Sequence, residues 1–264
     1  MSPRPLVSVL IRTMGRASLA RAIAAAAAQT HRPLEIVLVN AAAKPLPAID
    51  TPRDVPIRVV EGGPYGRPRA ANAALDHARG AWLVFLDDDD AFAPTHVETL
   101  LAAATTSGGA RVAYSATAVV EPDGKARMII GAAFNRLHLF IGNYMQVGAA
   151  LFSRSLVAEG ARFDEQLDCY EDWDFIIQLA QRTHFVYTGR PTNLWCAHAG
   201  ESGAGMGANK RDEATRPFHE IVVAKWAARA GALNEYARRN PAEAERIVRG
   251  PLPHDPTGLS AASD

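Results

Sequence analysis

The chain has 264 residues, with 28 Lys and Arg against 28 Asp and Glu, 48% hydrophobic residues and 21% charged ones. This is the balance of a soluble globular protein with a substantial core, and it excludes bulk electrostatic attraction to nucleic acid or to an anionic membrane. Two cysteines give no disulfide framework, no apolar stretch is long enough for a membrane span, and no signal segment precedes the first strand, which together predict a cytoplasmic protein without a transmembrane segment.

Leu6–Ile11 is a continuous run rich in β-branched residues, the pattern of a strand buried on both faces. An Ala-rich helix follows over Gly15–Gln29, then strands at Leu34–Val39 and Ile57–Val60. Arg69–Arg79 is helical with a face of small residues (Ala70, Ala73, Ala74, Ala78), and Gly80 closes it. Ala81–Leu86 is the fourth strand. Strands alternating with helices predict an α/β sheet.

Asp87, Asp88, Asp89 and Asp90 come directly after that strand. Two unit charges about 5 Å apart repel by roughly 3 kcal/mol in a partly buried site, so four neighbouring carboxylates call for a cation or a proton. Extended-chain alternation places Asp87 and Asp89 on one side, and Asp88 and Asp90 on the other. Hard divalent ions take oxygen ligands, and Mg²⁺ binds one or two carboxylates plus substrate phosphates. Open sheets also bind ligands at the carboxyl ends of their strands. The junction therefore reads as a metal-assisted phosphate-ester site. The alternative is an acidic turn that starts the next helix, a reading that suits Asp90 best.

Pro94 fits the first turn of a helix ending near Thr105. Strands are predicted at Arg111–Val120, Ala126–Ile130 and Val147–Phe152, with Glu121-Pro122-Asp123-Gly124 turning between the first two. Trp173–Arg182 shows helical spacing of Phe175, Ile176, Leu179 and Ala180, and short strands follow at Phe185–Tyr187 and Asn193–Ala197. Gly200–Gly207 holds four glycines and reads as a mobile loop. Glu213–Gly231 and Glu235–Val248 are helical, and the Pro- and Ser-rich end from Gly250 reads as a disordered tail.

Several of these segments, in order, resemble a family 2 glycosyltransferase of GT-A fold. They are Val7-Ser8-Val9-Leu10-Ile11-Arg12-Thr13, the helix from Gly66 to Gly80 with Arg69 and Asn72, and Leu86-Asp87-Asp88-Asp89, which matches the DXD motif. Further along come Gly160–Glu165 with Glu171-Asp172-Trp173-Asp174, and Trp195-Cys196-Ala197-His198-Ala199-Gly200. The resemblance covers roughly residues 5–200. It implies a Rossmann-like, mostly parallel sheet flanked by helices, with a C-terminal helical extension. The expected division is a GT-A domain over 1–212 (nucleotide-sugar half about 1–92, acceptor half about 93–212), helices over 213–249 and a tail over 250–264. Two positions depart from the family pattern: Asn40 stands where a carboxylate is usual, and Arg12 where Pro is common.

The same resemblance implies a metal-dependent inverting transfer from a nucleoside-diphosphate sugar, UDP by family frequency, to a hydroxyl acceptor that is a saccharide, a lipid-linked group or a small molecule. Mg²⁺ or Mn²⁺ is the implied cofactor. Thr13, Asn40, Arg69, Asp87 and Asp88 would contact the nucleotide-sugar, Asp89 and His198 the metal, and Asp172 would be the base. Glu171 and Trp195 would support the acceptor side, where Asn143, Tyr144 and Gln146 also fall. Structural alternatives stand beside these roles: carboxylates favour a helix N-terminus on their own account, and Trp is often a core residue. Two rival functions remain, a non-catalytic GT-A-like binding module, supported by Asn40, and a nucleotidyltransferase. The second would need a Gly- and Arg-rich phosphate loop that Thr13-Met14-Gly15-Arg16 matches poorly. Donor sugar, acceptor and oligomeric state carry no sequence signature.

Overall fold

A computed structural model describes residues 3–50, 54–121, 123–196 and 212–252. The N-terminal half runs β1 (Val7–Thr13), α1 (Leu19–Ala27), β2 (Leu34–Asn40), β3 (Ile57–Val60), α2 (Arg67–His77), β4 (Trp82–Asp87), β5 (Ala91–Phe92) and α3 (His96–Thr106). The remainder runs β6 (Val112–Val120), β7 (Ala126–Ile130), α4 (Arg136–Leu139), β8 (Ala150–Ser153), α5 (Arg154–Ala158), α6 (Glu171–Arg182), β9 (Phe185–Trp195), α7 (Asp212–Arg239) and α8 (Pro241–Arg249).

The strands form one sheet in the order β3-β2-β1-β4-β8-β6-β9-β5, with β7 paired to β6. Pairing is parallel from β3 to β4 and again between β6 and β9. It is antiparallel where β8 joins β4 to β6, and where β5 and β7 are added. The sheet is thus the expected α/β sheet, parallel in its first half and mixed in its second. β1 and β4 lie side by side although β2 and β3 intervene in sequence, so the strand order reverses between them. Ligands of open sheets bind outside the carboxyl ends of strands at such a point.

All seven residues of β1 and of β2 are buried, which is why both are mostly apolar, and the charge within β2, Glu35, is matched by hydrogen bonds from Ser8 Oγ (2.6 Å) and Arg79 N (2.8 Å). Alternation along β1 sends Val7, Val9 and Ile11 to the face covered by α1 and α3, while Leu10 faces the side covered by α2, α6 and α7. α1 buries Leu19, Ala22, Ile23 and Ala26 at helical spacing. It begins four residues later than its composition suggests, because Gly15 adopts φ +76 and keeps the preceding stretch as a loop.

Three further boundaries differ from expectation. The two short strands predicted at 185–197 are one strand, β9, which passes Gly189 (φ +68) by a shift in its register with β6. The predicted strand from Val147 begins as a short 3-10 turn over Val147–Ala149 and becomes β8 only at Ala150. The predicted pair of C-terminal helices breaks at Asn240–Pro241 instead of after Gly231. Gly231 costs a helix about 1 kcal/mol, and buried Val222, Trp226 and Leu233 on the same helix offset it. The short β5, α4 and α5 escaped the sequence reading. The glycine loop over 200–207 and the tail beyond residue 252 lie outside the described residues.

α7 is tied to α6 by a buried carboxylate. Asp174, fully buried, accepts hydrogen bonds from Trp226 Nε1 (2.7 Å), Gln178 Nε2 (2.8 Å) and Lys225 Nζ (3.1 Å). Lys225 also reaches Asp164 at 2.8 Å. Lys225→Met should lower stability by about 1.5–3 kcal/mol, the usual contribution of hydrogen bonds to a charged group. Urea denaturation reads this directly, and a loss below about 0.5 kcal/mol would contradict the clamp.

Candidate active site

Strand register builds the site. Arg12 is paired with Asp87 across β1 and β4, and Thr13 with Asn40 across β1 and β2, so the carboxyl ends of three neighbouring strands form one row. Above this row lies a cavity of about 390 Å³. One half of its wall is charged: Arg12, Arg16 and Arg67 face Asp87–Asp90, Glu171 and Asp172.

The alternation expected through the four aspartates stops at Asp87. A turn follows, closed by Asp90 N donating to Asp87 O at 3.0 Å. It folds Asp90 back, so that one carboxylate oxygen each of Asp87, Asp89 and Asp90 lies within 4.8 Å of the others. Asp88 goes the other way. Its Oδ2 accepts from Thr13 Oγ1 at 2.5 Å and its Oδ1 from Arg16 Nη1 at 3.0 Å, and the residue is 3% exposed. Thr13 Oγ1 in turn accepts from Gly15 N at 2.9 Å, which fixes the loop after β1. Thr13→Val should therefore cost about 1.5–3 kcal/mol of stability through the lost bond to Asp88. Equal urea midpoints for the two proteins would show that the bond contributes nothing.

The electrostatics follow from this packing. Burial works against the charge on Asp87, but Arg12 and Arg67 outweigh it and hold the carboxyl below its usual range. Asp89 is pushed up to about 6 by burial and then by the charges of Asp87 and Asp88. Asp90 rises well above its ordinary value through burial, with Asp87 and Asp89 adding to the effect. Its Oδ1 accepts from Cys196 N at 2.8 Å, tying the turn to the end of β9. Three converging oxygen donors, two of which hold protons too tightly, suit a hard divalent cation of the Mg²⁺ or Mn²⁺ type.

The acids opposite come from the start of α6. Tyr170, which precedes that helix, is the one non-glycine residue with positive φ (61°) among the described residues. Backbone held this way is concentrated at functional sites. Glu171, 2% exposed, accepts from Arg12 Nη1 at 2.9 Å and lies 3.3 Å from Arg67 Nε. Arg12 Nε also approaches Asp87 Oδ1 at 3.4 Å, so one guanidinium joins the aspartate turn to α6. Burial disfavours its charge, yet Asp87, Glu171 and Asp172 raise its affinity for the proton. Asp172 lines the cavity and accepts from Trp173 N at 2.8 Å. Burial and then the charge of Glu171 push its carboxyl up to about 6.

Thr13, Asp87, Asp88, Asp89, Glu171, Asp172 and Trp195 are thus all brought to the cavity. Asn40 lies beside it, 2% exposed, with its amide committed to Glu61 Oε2 (2.7 Å), the Lys44 carbonyl (2.9 Å) and Ala42 N (3.1 Å). Arg69 is exposed and stands over the Tyr65 ring, whereas Arg67 takes the place in the wall. Helical spacing separates the two: position 69 points away from the strand ends that position 67 faces. His198 lies outside the described residues. Arg12 and Arg16 entered no role in the sequence reading, and the signal was available for Arg12 as a charge in an otherwise apolar strand.

Over residues 8–157 the sequence matches the family described as Glycosyl transferase family 2. The chain belongs to that family. Among relatives, this family 2 glycosyltransferase is 27% identical over 184 residues to YwdF of Bacillus subtilis (strain 168), an uncharacterized glycosyltransferase; the match spans 66% of this chain and 68% of that protein. Its fold is similar to that of S. aureus TarS 1-349 in complex with UDP-GlcNAc (TM-score 0.59, 14% identity), over 83% of this chain and 66% of that one. It is also similar to the mannosyltransferase PcManGT from Pyrobaculum calidifontis in complex with GDP-Man and Mn²⁺ (TM-score 0.53, 17% identity), over 93% and 81% of the two chains. The GT-A architecture expected from the motifs is therefore the observed one. No helix among the described residues is long and apolar enough to cross a membrane.

Proposed function

We propose that the protein transfers a sugar from a nucleoside-diphosphate sugar to a hydroxyl acceptor, with inversion at the anomeric carbon. The observation that carries this reading is the convergence of Asp87, Asp89 and Asp90 across the cavity from Asp172. A divalent cation bound by the three aspartates would supply Lewis-acid neutralisation of charge on the departing diphosphate. Arg67 and Arg16, on the same wall, present planar donors to phosphate oxygens. Arg12 keeps Asp87 ionised and Glu171 fixed. Asp172 stands ready as the base that takes the acceptor hydroxyl's proton during attack.

UDP is the carrier we propose first, and guanosine and thymidine diphosphates follow because Asn40 brings no charge beside the nucleotide end. Two free cysteines support a reducing, cytoplasmic setting. The test is release of nucleoside diphosphate from UDP-glucose, UDP-GlcNAc, GDP-mannose and dTDP-glucose, with Mn²⁺ or EDTA, in the presence of mixed saccharide acceptors. Mn²⁺-dependent release from one donor is expected. Donor binding without release from any of them would favour a non-catalytic binding module, and neither binding nor release would remove the nucleotide-sugar reading.

A further inference from the structure

A surface helix ordinarily turns its charges to water and its apolar residues inward. The middle of α7 does the reverse. Between Glu220 and Asn234 its charged residues are Lys225 and Arg229, and both reach toward α6: Lys225 Nζ to Asp174 (3.1 Å) and Arg229 Nε to Gln181 Oε1 (3.1 Å). Apart from Lys225, the exposed positions of this stretch are Ile221, Val223, Ala224, Ala227, Ala228 and Gly231. Ile221 is 48% exposed and Val223 37%.

Helix propensity accounts for the alanines, but the β-branched Ile221 and Val223, and above all Gly231, are poor helix formers. Nor does crowding in its own fold call for Gly231, since a Cβ there would meet nothing within 4 Å. Glycine suits a place where another backbone comes close, and none among the described residues supplies one here.

The two ends of this face carry charges of both signs. Glu213, Arg216 and Glu220 precede the apolar stretch, Glu235 and Arg238 follow it, and all five are exposed. Steps of three and four residues through 213, 216, 220, 224, 227, 231, 235 and 238 keep these positions on one side of the helix. Consider an antiparallel copy of α7 related by a two-fold axis between positions 225 and 226. It sets Glu213 against Arg238 and Arg216 against Glu235, twice each, and Ala224 against Ala227 at the axis. Glu220 meets Gly231, where the missing side chain leaves room for it. A parallel copy would set like charges against each other.

We propose that the outer face of α7 binds a second copy of this chain, antiparallel across that two-fold axis. The pairing is independent of the chemistry proposed for the cavity. One helix face is a small interface, of the size class of transient complexes, so monomer and dimer should exchange at about micromolar concentrations.

Sedimentation equilibrium of the full chain from about 1 to about 200 μM tests this, and a monomer–dimer equilibrium is expected. Ala227→Glu places an acid from each copy at the axis. It should weaken the dimer by at least about 100-fold while leaving the helix content and melting temperature of dilute protein unchanged. Glu235→Arg should weaken it about tenfold, since an ion pair becomes a like-charge contact at two symmetric places. That substitution also removes the pairs Glu235 makes with Arg238 and Arg239 in its own helix. Adding Arg216→Glu cannot restore those, so recovery of the dimer in the double variant reports the contact between copies, and recovery to within about threefold of wild type is expected. A monomer at every concentration would overturn the proposal, and binding of that monomer to phosphatidylcholine vesicles would assign the face to a membrane instead. A dimer that Ala227→Glu leaves intact forms elsewhere on the molecule, and one that the double variant does not recover is not paired in this register. Either result overturns the proposal as well.

Discussion

Asp172→Asn is expected to lower the rate of sugar transfer by about 10²–10⁴-fold, the range a positioned general base supplies, while leaving donor affinity unchanged. The amide keeps the size of the side chain and its acceptor oxygen for Trp173 N, so the start of α6 should be preserved. Only the ability to take a proton is lost. In the wild-type protein burial, and then the charge of Glu171, push the carboxyl up to about 6. A base works in its ionised form, so kcat/KM should rise with pH through about 6 and level off above it. That limb should vanish in the variant. Calorimetric donor binding beside a coupled assay of nucleoside diphosphate release separates the two quantities, and equal turnover in both proteins would remove Asp172 from the chemistry.

Asp89→Ala should weaken Mn²⁺-dependent donor binding by at least about 100-fold. Loss of a group that only supports a metal ligand costs 10–100-fold, and Asp89 would be a direct ligand. The wild-type protein should also show a pH signature. Asp89 and Asp172 are both pushed up to about 6 in the folded protein, chiefly by burial. The folded state therefore holds their protons more tightly than the unfolded chain does, and metal-free stability should fall as pH rises from about 4 to about 6. A cation that displaces the proton at Asp89 reverses that penalty. The increase in melting temperature on adding Mn²⁺ should thus be small at pH 5 and large at pH 7.5, and absent at both in Asp89→Ala. A pH-independent increase would place the ion elsewhere.

Much of the fold was legible because its first half is built from fully buried parallel strands. β1 and β2 are mostly apolar, β4 is an unbroken apolar run up to Asp87, and β3 matches its expected ends, Ile57–Val60. β9 was harder. Gly189 and Pro191 carry the composition of a loop, and only pairing with β6 keeps them within a strand. That Asp87 and Asp89 lie at one site was legible from acids placed at the end of a buried strand, and that Asp172 joins them only from the family resemblance. The site was not legible where the outcome depended on how the chain turns. Asp90 joins Asp87 and Asp89 because a four-residue turn replaces the extended alternation, and the same turn sends Asp88 to Thr13 and Arg16. The link from Asp87 through Arg12 to Glu171 spans 159 residues of sequence between its last two members, a distance that no local pattern reports.

The most direct measurement is an anomalous-scattering map from crystals grown with Mn²⁺ and UDP. A manganese peak enclosed by the carboxylates of Asp87, Asp89 and Asp90, with the diphosphate against it, is the expected result. Nucleotide bound in the cavity with those three carboxylates free of metal and turned to solvent would contradict the account.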